Sequence, residues 1–148
     1  MIPYTEQDLD YATRTVWAEA RGEGRDGQAA VAWVLKNRAQ NPRWWSRNRD
    51  DIPDDTIAAV CVDPWQFSCW LKSDPNYCKL TSLPKTDPAY VAIRAICKDV
   101  FDGKVPDPTG KADHYVVNSW IPRTKWASEN AAKKTVTIKN HTFYRLEI

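Results

Sequence analysis

The chain has 148 residues, 43% hydrophobic and 27% charged, with a net charge of +2, which suits one globular domain over residues 1–148 built on a single core. It contains no run of about 18 apolar residues that would cross a membrane, and its Lys and Arg residues are dispersed rather than gathered into a stripe, which argues against nucleic-acid binding. Eight Trp in so short a chain exceed what a small core easily absorbs and point to aromatic side chains along a binding cleft.

The start, Met1-Ile2-Pro3-Tyr4-Thr5-Glu6, has neither a basic segment nor an apolar stretch of signal-peptide type, so the chain is expected to accumulate in the cytoplasm. Thr5 with Asp8 forms a capping-box pattern and opens a first helix that runs to about Ala20, before Gly22 and Gly24. Leu9, Ala12, Val16 and Ala20 recur at helical spacing as one apolar stripe, and Glu19 falls on its edge rather than on the watery face. A carboxylate placed there is partly desolvated, its pKa rises, and it becomes able to hold and donate a proton near neutral pH. The alternative is a solvated glutamate in an ordinary last turn.

Asp26 is expected to cap a second helix with apolar positions Ala30, Val31, Val34 and Leu35, ending near Asn37-Arg38 and stopped by Asn41-Pro42. Residues 43–55 read as a polar, variable loop holding the Trp44-Trp45 pair. Thr56 to Val60 reads as a short helical turn leading into the aromatic-rich loop Asp63-Pro64-Trp65-Gln66-Phe67-Ser68-Cys69-Trp70. Asp74-Pro75-Asn76 and Leu83-Pro84 punctuate a further loop. Asp87-Pro88 then starts a third helix that runs to Phe101 or Asp102, with Gly103 at its end. After the turn-rich connector 105–111, His114 to Val117 and Thr135 to Leu146 read as strands, the latter a hairpin turning near Lys139-Asn140. The fold class is mainly α (α+β) with a small C-terminal β-hairpin or sheet.

The four cysteines, Cys61, Cys69, Cys78 and Cys97, show no paired spacing with one another or with His114 and His141 that would suggest a metal site. Buried free thiols are favoured slightly over a disulfide such as Cys69 to Cys78, and the sequence does not choose among pairings.

Several runs then fall into register. Trp17-Ala18-Glu19-Ala20-Arg21-Gly22-Glu23, Gly27-Gln28-Ala29-Ala30-Val31-Ala32, Asn37-Arg38, Gln66-Phe67-Ser68-Cys69-Trp70, Asp107-Pro108-Thr109-Gly110 with Ala112-Asp113-His114-Tyr115, and Asn140-His141-Thr142-Phe143-Tyr144 together resemble the signature of the cell-wall hydrolases related to bacterial spore-cortex-lytic enzymes, the SleB type. The resemblance implies a lysozyme-like, mostly helical fold and a peptidoglycan-cleaving enzyme. The expected reaction is lytic transglycosylation between N-acetylmuramic acid and N-acetylglucosamine, with glycan strands as the partner. No cofactor or metal is required for it; a monomer is expected, and, from the composition above, no nucleic acid and no membrane insertion. The first Glu of the Glu-Ala-Arg-Gly-Glu run carries over as the catalytic acid, Glu19.

Glu23 is either a second carboxylate, an ion-pair partner of Arg21 or Arg25, or a cap of the second helix. Gln66, Phe67 and Ser68 either contact sugar or, for Phe67, belong to the core. The Tyr115 hydroxyl is a candidate to reach Glu19 or the sugar, and His141 and Tyr144 complete the candidate substrate-binding set. Asp113 is an electrostatic candidate, and His114 and Arg21 read as structural. The family usually carries Gly where this chain has Lys111 and Lys139; Lys at positive φ is strained, so these turns are expected to adjust, with Asn140 taking the left-handed position. Without a signal peptide or wall-binding module, the expected role is that of a phage endolysin, held in the host cytoplasm until the membrane is breached. A hydrolytic muramidase, an amidase and a non-catalytic glycan-binding module are the competing readings.

Overall fold

The computed structural model describes residues 2–47, 49–63, 66–128 and 132–146; Pro64 and Trp65 of the aromatic loop lie outside these. Helix α1 (Glu6–Ala20) is capped by Thr5, whose hydroxyl accepts from the Asp8 backbone N–H while Asp8 reaches back to Thr5 N. Its stripe of Leu9, Ala12, Val16 and Ala20 is almost wholly inaccessible, and burying Leu9 or Val16 stabilises by roughly 1.5–3 kcal/mol each. Around it pack α2 (Gly24–Gln40), α3 (Ile57–Cys61) and α5 (Pro88–Phe101), with the smaller α4 (Pro75–Ser82) on its flank.

Two of these elements depart from expectation. Asp26 does not cap α2: Glu23 occupies that position, makes no capping bond, and leaves Asp26 in the first turn, where a carboxylate still complements the positive helix end. Residues 75–82 are helix rather than loop, because Asp74 accepts from Asn76 N at 2.8 Å and Pro75 stands at the first position, the start that Asp87-Pro88 gives α5. Residues 43–55, read as polar and variable, contain a 3-10 turn at Trp44–Ser46 in which Trp45 is fully buried and donates its indole N–H to Arg38 O at 3.0 Å.

The sheet is three-stranded and antiparallel, in the order β1 (His114–Val117), β3 (His141–Leu146), β2 (Ala132–Ile138). Between β1 and β2 the chain forms a 3-10 stretch at Asn118–Arg123 and a short helix, α6 (Lys125–Ser128). The sheet docks on α2 where Phe143 and Ala112 meet Ala30 and Val34.

Lys111 (φ 66) and Lys139 (φ 52) both adopt the left-handed conformation, so the turns did not adjust; each costs about 1 kcal/mol relative to Gly. Asn140 stays out of that region and instead donates its side-chain amide to Glu23 Oε2 at 3.0 Å. The four cysteines are free thiols, with only Cys78 exposed. No described helix is long and apolar enough to cross a membrane.

Candidate active site

Three segments meet at the C-terminal end of α1. Thr15 holds the first: its hydroxyl accepts the Trp70 indole N–H at 2.8 Å, fixing the 66–70 loop against α1. The second is α2, where Ala30 and Val34 face the sheet and Arg38, four residues further, stands on the same face. The third is the end of the sheet, where Val117 pairs with His141 and Tyr115 with Phe143. Between them lies a cleft of about 400 Å³, into which Glu19, Arg38, Gln66, Ser68, Tyr115 and His141 project, with Val117 and Trp120 at its edge.

Glu19 is the one carboxylate lining this cleft among the described residues. It is half-buried in the last turn of α1, which carries no basic residue, so the negative end of the helix also opposes ionisation. Burial pushes its pKa from the ordinary 4.5 to about 7; the Tyr115 hydroxyl, hydrogen-bonded to it, pulls the other way, Asp74 adds to the rise, and Arg38 opposes it. At neutral pH the side chain is thus divided between acid and carboxylate. The Tyr115 hydroxyl is itself driven well above its usual range by burial and by the neighbouring Glu19 charge, so it remains a donor.

Arg38 is buried, with its guanidinium 5.2 Å from the Phe67 ring and 5.4 Å from the Trp45 ring. Nε donates to Asp113 O at 2.6 Å, while Nη1 has no partner among the described residues. Burial lowers its pKa to about 10, which leaves it charged at neutral pH and makes it a fixed cation beside Glu19.

Glu23 is buried beneath the cleft and is not among the residues lining it. Its Oε1 lies 2.8 Å from His141 Nδ1, near enough for a hydrogen bond but not aligned for one. Gly27 makes room for this side chain, since a Cβ there would stand 2.5 Å from Glu23 Cβ. Glu23 therefore pairs with neither Arg21 nor Arg25. Burial lowers the His141 pKa, and its ring stands edge-on to Tyr115 at 5.1 Å.

The remaining candidates separate. Gln66, Phe67 and Ser68 all line the cleft, and Phe67, 2% exposed, also belongs to the core. Tyr144 does not line the cleft; along β3 it alternates with Phe143 and packs on Trp126 at 5.1 Å, on the other side of the sheet. Asp113 is tied to His114 Nδ1 and Leu146 N. Arg21 stacks on Trp17 at 4.3 Å. Sequence reasoning gives no role of its own to Arg38, named only within the Asn37-Arg38 run although it sits at the edge of an apolar helix face as Glu19 does, and does not single out Trp120 from the eight Trp, though it is 56% exposed beside the cleft.

The chemistry such a cleft supports is general acid–base work by one carboxylate, with a Tyr donor and a fixed cation at hand. Comparison with known proteins bears on the family and the fold. The model of the Cell Wall Hydrolase family matches residues 22–144, beginning just past Glu19. Over 123 residues the chain is 28% identical to a spore cortex-lytic enzyme of Halalkalibacterium halodurans, an alignment covering 80% of this chain and 31% of that protein; the chain thus spans about a third of this curated relative. Among solved structures, the catalytic domain of the germination-specific lytic transglycosylase SleB from Bacillus anthracis superposes with a TM-score of 0.69 at 24% identity, covering 97% of this chain and 100% of that one. The catalytic domain of the Bacillus cereus SleB protein gives 0.68 at 25% identity, covering 97% and 95%.

Proposed function

We propose, from the premise that this chain belongs to the Cell Wall Hydrolase family, that it is a peptidoglycan lytic transglycosylase in which Glu19 is both acid and base. The observation that carries this reading is the half-buried Glu19, with a pKa near 7, as the one carboxylate among the described residues lining a cleft open to solvent. Glu19 in its protonated form donates to the glycosidic oxygen between N-acetylmuramic acid and N-acetylglucosamine, and the bond breaks with oxocarbenium-like charge at the muramoyl C1. The neighbouring 2-acetamido carbonyl of the substrate stabilises that centre. Glu19, now a carboxylate held by the Tyr115 hydroxyl, takes the proton from the muramoyl C6 hydroxyl as its oxygen closes the 1,6-anhydro ring. One carboxylate thus serves where ordinary retaining and inverting glycosidases use two.

Gln66 and Ser68 supply amide and hydroxyl groups for the sugar, and Trp120 offers a face for a ring to rest on. Glu23 acts as an anchor for His141 and Asn140 rather than as a second catalytic carboxylate. The reduced state of all four cysteines is compatible with an endolysin stored in a reducing compartment before it meets the wall.

The test is the chemistry of the product ends. Purified peptidoglycan digested by the protein is expected to yield fragments ending in 1,6-anhydro-muramic acid by mass spectrometry. Reducing muramic ends would make the enzyme a hydrolytic muramidase, and free stem peptides with intact glycan would make it an amidase.

A further inference from the structure

A second cavity, of about 770 Å³, exceeds the Glu19 cleft in size and takes no part in the reaction above. It lies at the opposite end of the β1–β3 pair. Its wall includes Asp113, just before β1, and Arg145 late in β3, whereas the cleft holds Val117 and His141 at the other end. Four residues along either strand separate the two, roughly 13 Å.

Three cations converge there from three segments: Arg43 beyond α2, Lys111 in the connector and Arg145 on β3. Two carboxylates share the wall, but both are committed inward. Asp107 accepts from Thr109 N and Oγ1, Asn37 Nδ2 and Lys111 N; Asp113 accepts from Leu146 N and lies against His114 Nδ1. Among the described residues no carboxylate pairs with Arg43, Lys111 or Arg145. Two donors in the same wall, Arg43 Nη1 and Trp33 Nε1, are shielded from solvent and have no acceptor among the described residues. Shielded donors without an acceptor are rare and point to a missing ligand or water. Lys111, moreover, is held at φ 66, a conformation Gly takes without strain; strain of this sort persists mostly at ligand sites.

We propose that this cavity binds a carboxylate-bearing peptide, the acidic stem carried by the muramic acid residue whose glycosidic bond is cleaved. The proposal rests on the transglycosylase reading and deepens it. An extended peptide advances about 3.3–3.6 Å per residue, so a stem leaving the cleft brings its third or fourth residue to the cavity. Its carboxylates accept from Arg43, Lys111 and Arg145, the two guanidinium groups in bidentate fashion. The enzyme is thereby selective for strands that still carry their stems.

The experiment compares kcat/KM on soluble glycan strands with intact stems and on the same strands stripped by an amidase. Wild type prefers the stemmed strands by about tenfold, and Lys111→Gly and Arg145→Gln each lower that preference about threefold. Lys111→Gly also relaxes the positive φ, so its effect cannot be ascribed to lost folding. Free stem peptide inhibits cleavage of stemmed strands, and inorganic phosphate at the same concentration does not. Equal cleavage of both substrates, an unchanged preference in both variants, or equal inhibition by phosphate overturns the peptide site. No cleavage of either substrate would instead remove the transglycosylase reading on which it rests.

Discussion

Glu19→Gln is expected to make the protein more stable at alkaline pH while removing its acid. Burial raises the folded-state pKa of Glu19 from the ordinary 4.5 to about 7. For a group raised on folding, the favourable contribution is complete below about pH 4.5 and is lost as the pH climbs through 7, because the unfolded chain ionises first and the folded one pays to ionise later. At about 1.4 kcal/mol per pH unit, the gap amounts to about 3.5 kcal/mol, and access of water to the half-buried side chain brings it nearer 2. Gln is nearly isosteric and never ionises, so it escapes this loss. Urea denaturation of both proteins at about pH 4 and about pH 8.5, with slopes compared to confirm two-state unfolding, reads the effect directly. The variant should match wild type within about 0.5 kcal/mol at the lower pH and exceed it by about 2–3 kcal/mol at the higher. A difference that does not change between the two pH values would show that Glu19 is solvated in the folded protein and would refute the argument for its role as an acid.

Three further outcomes follow from the same geometry. Tyr115→Phe removes a donor that stabilises the Glu19 carboxylate; the Glu19 pKa rises, and the alkaline limb of the kcat/KM profile moves up by about one pH unit, whereas an unmoved limb would take Tyr115 out of the acid's environment. Trp120→Ala, at an exposed site beside the cleft, should raise KM about three- to tenfold with kcat largely kept; a fall in kcat at constant KM would contradict a sugar-platform role. Lys139→Gly relieves a left-handed Lys at φ 52 and should stabilise by about 1 kcal/mol in the same denaturation assay, a gain absent if the turn owes its shape to Lys139 contacts.

Local signals made most of the fold legible. The Thr5/Asp8 capping box, the α1 stripe, the Asp87-Pro88 start and the Lys139-Asn140 turn all act within a few residues and appear where the sequence places them. Helix α4 is not legible because Leu80 is its only buried residue, so it shows no period, and its Asp74-Pro75 start reads equally as loop punctuation. Glu19 was legible because an acid at the rim of an apolar stripe is conspicuous. Arg38 occupies the same kind of position but reads as an ordinary basic residue in a last helical turn. For β3 the alternation fails: His141, Thr142, Phe143 and Tyr144 are all buried, since α2 covers one side and α6 with Trp126 the other. The sequence therefore cannot say that His141 faces the cleft and Tyr144 does not. The left-handed Lys111 and Lys139 run against residue preference altogether, and only the surrounding structure fixes them.

The most direct measurement of the central claim is single-turnover cleavage of purified glycan strands by wild type, Glu19→Gln and Glu23→Gln, with folding of each checked by denaturation. Loss of about a thousandfold or more in Glu19→Gln, with Glu23→Gln within about tenfold of wild type and both proteins folded, is what one catalytic carboxylate in the cleft requires. A Glu19→Gln enzyme that retains a tenth of the wild-type rate, or a Glu23→Gln enzyme that is equally dead while folded, would contradict it.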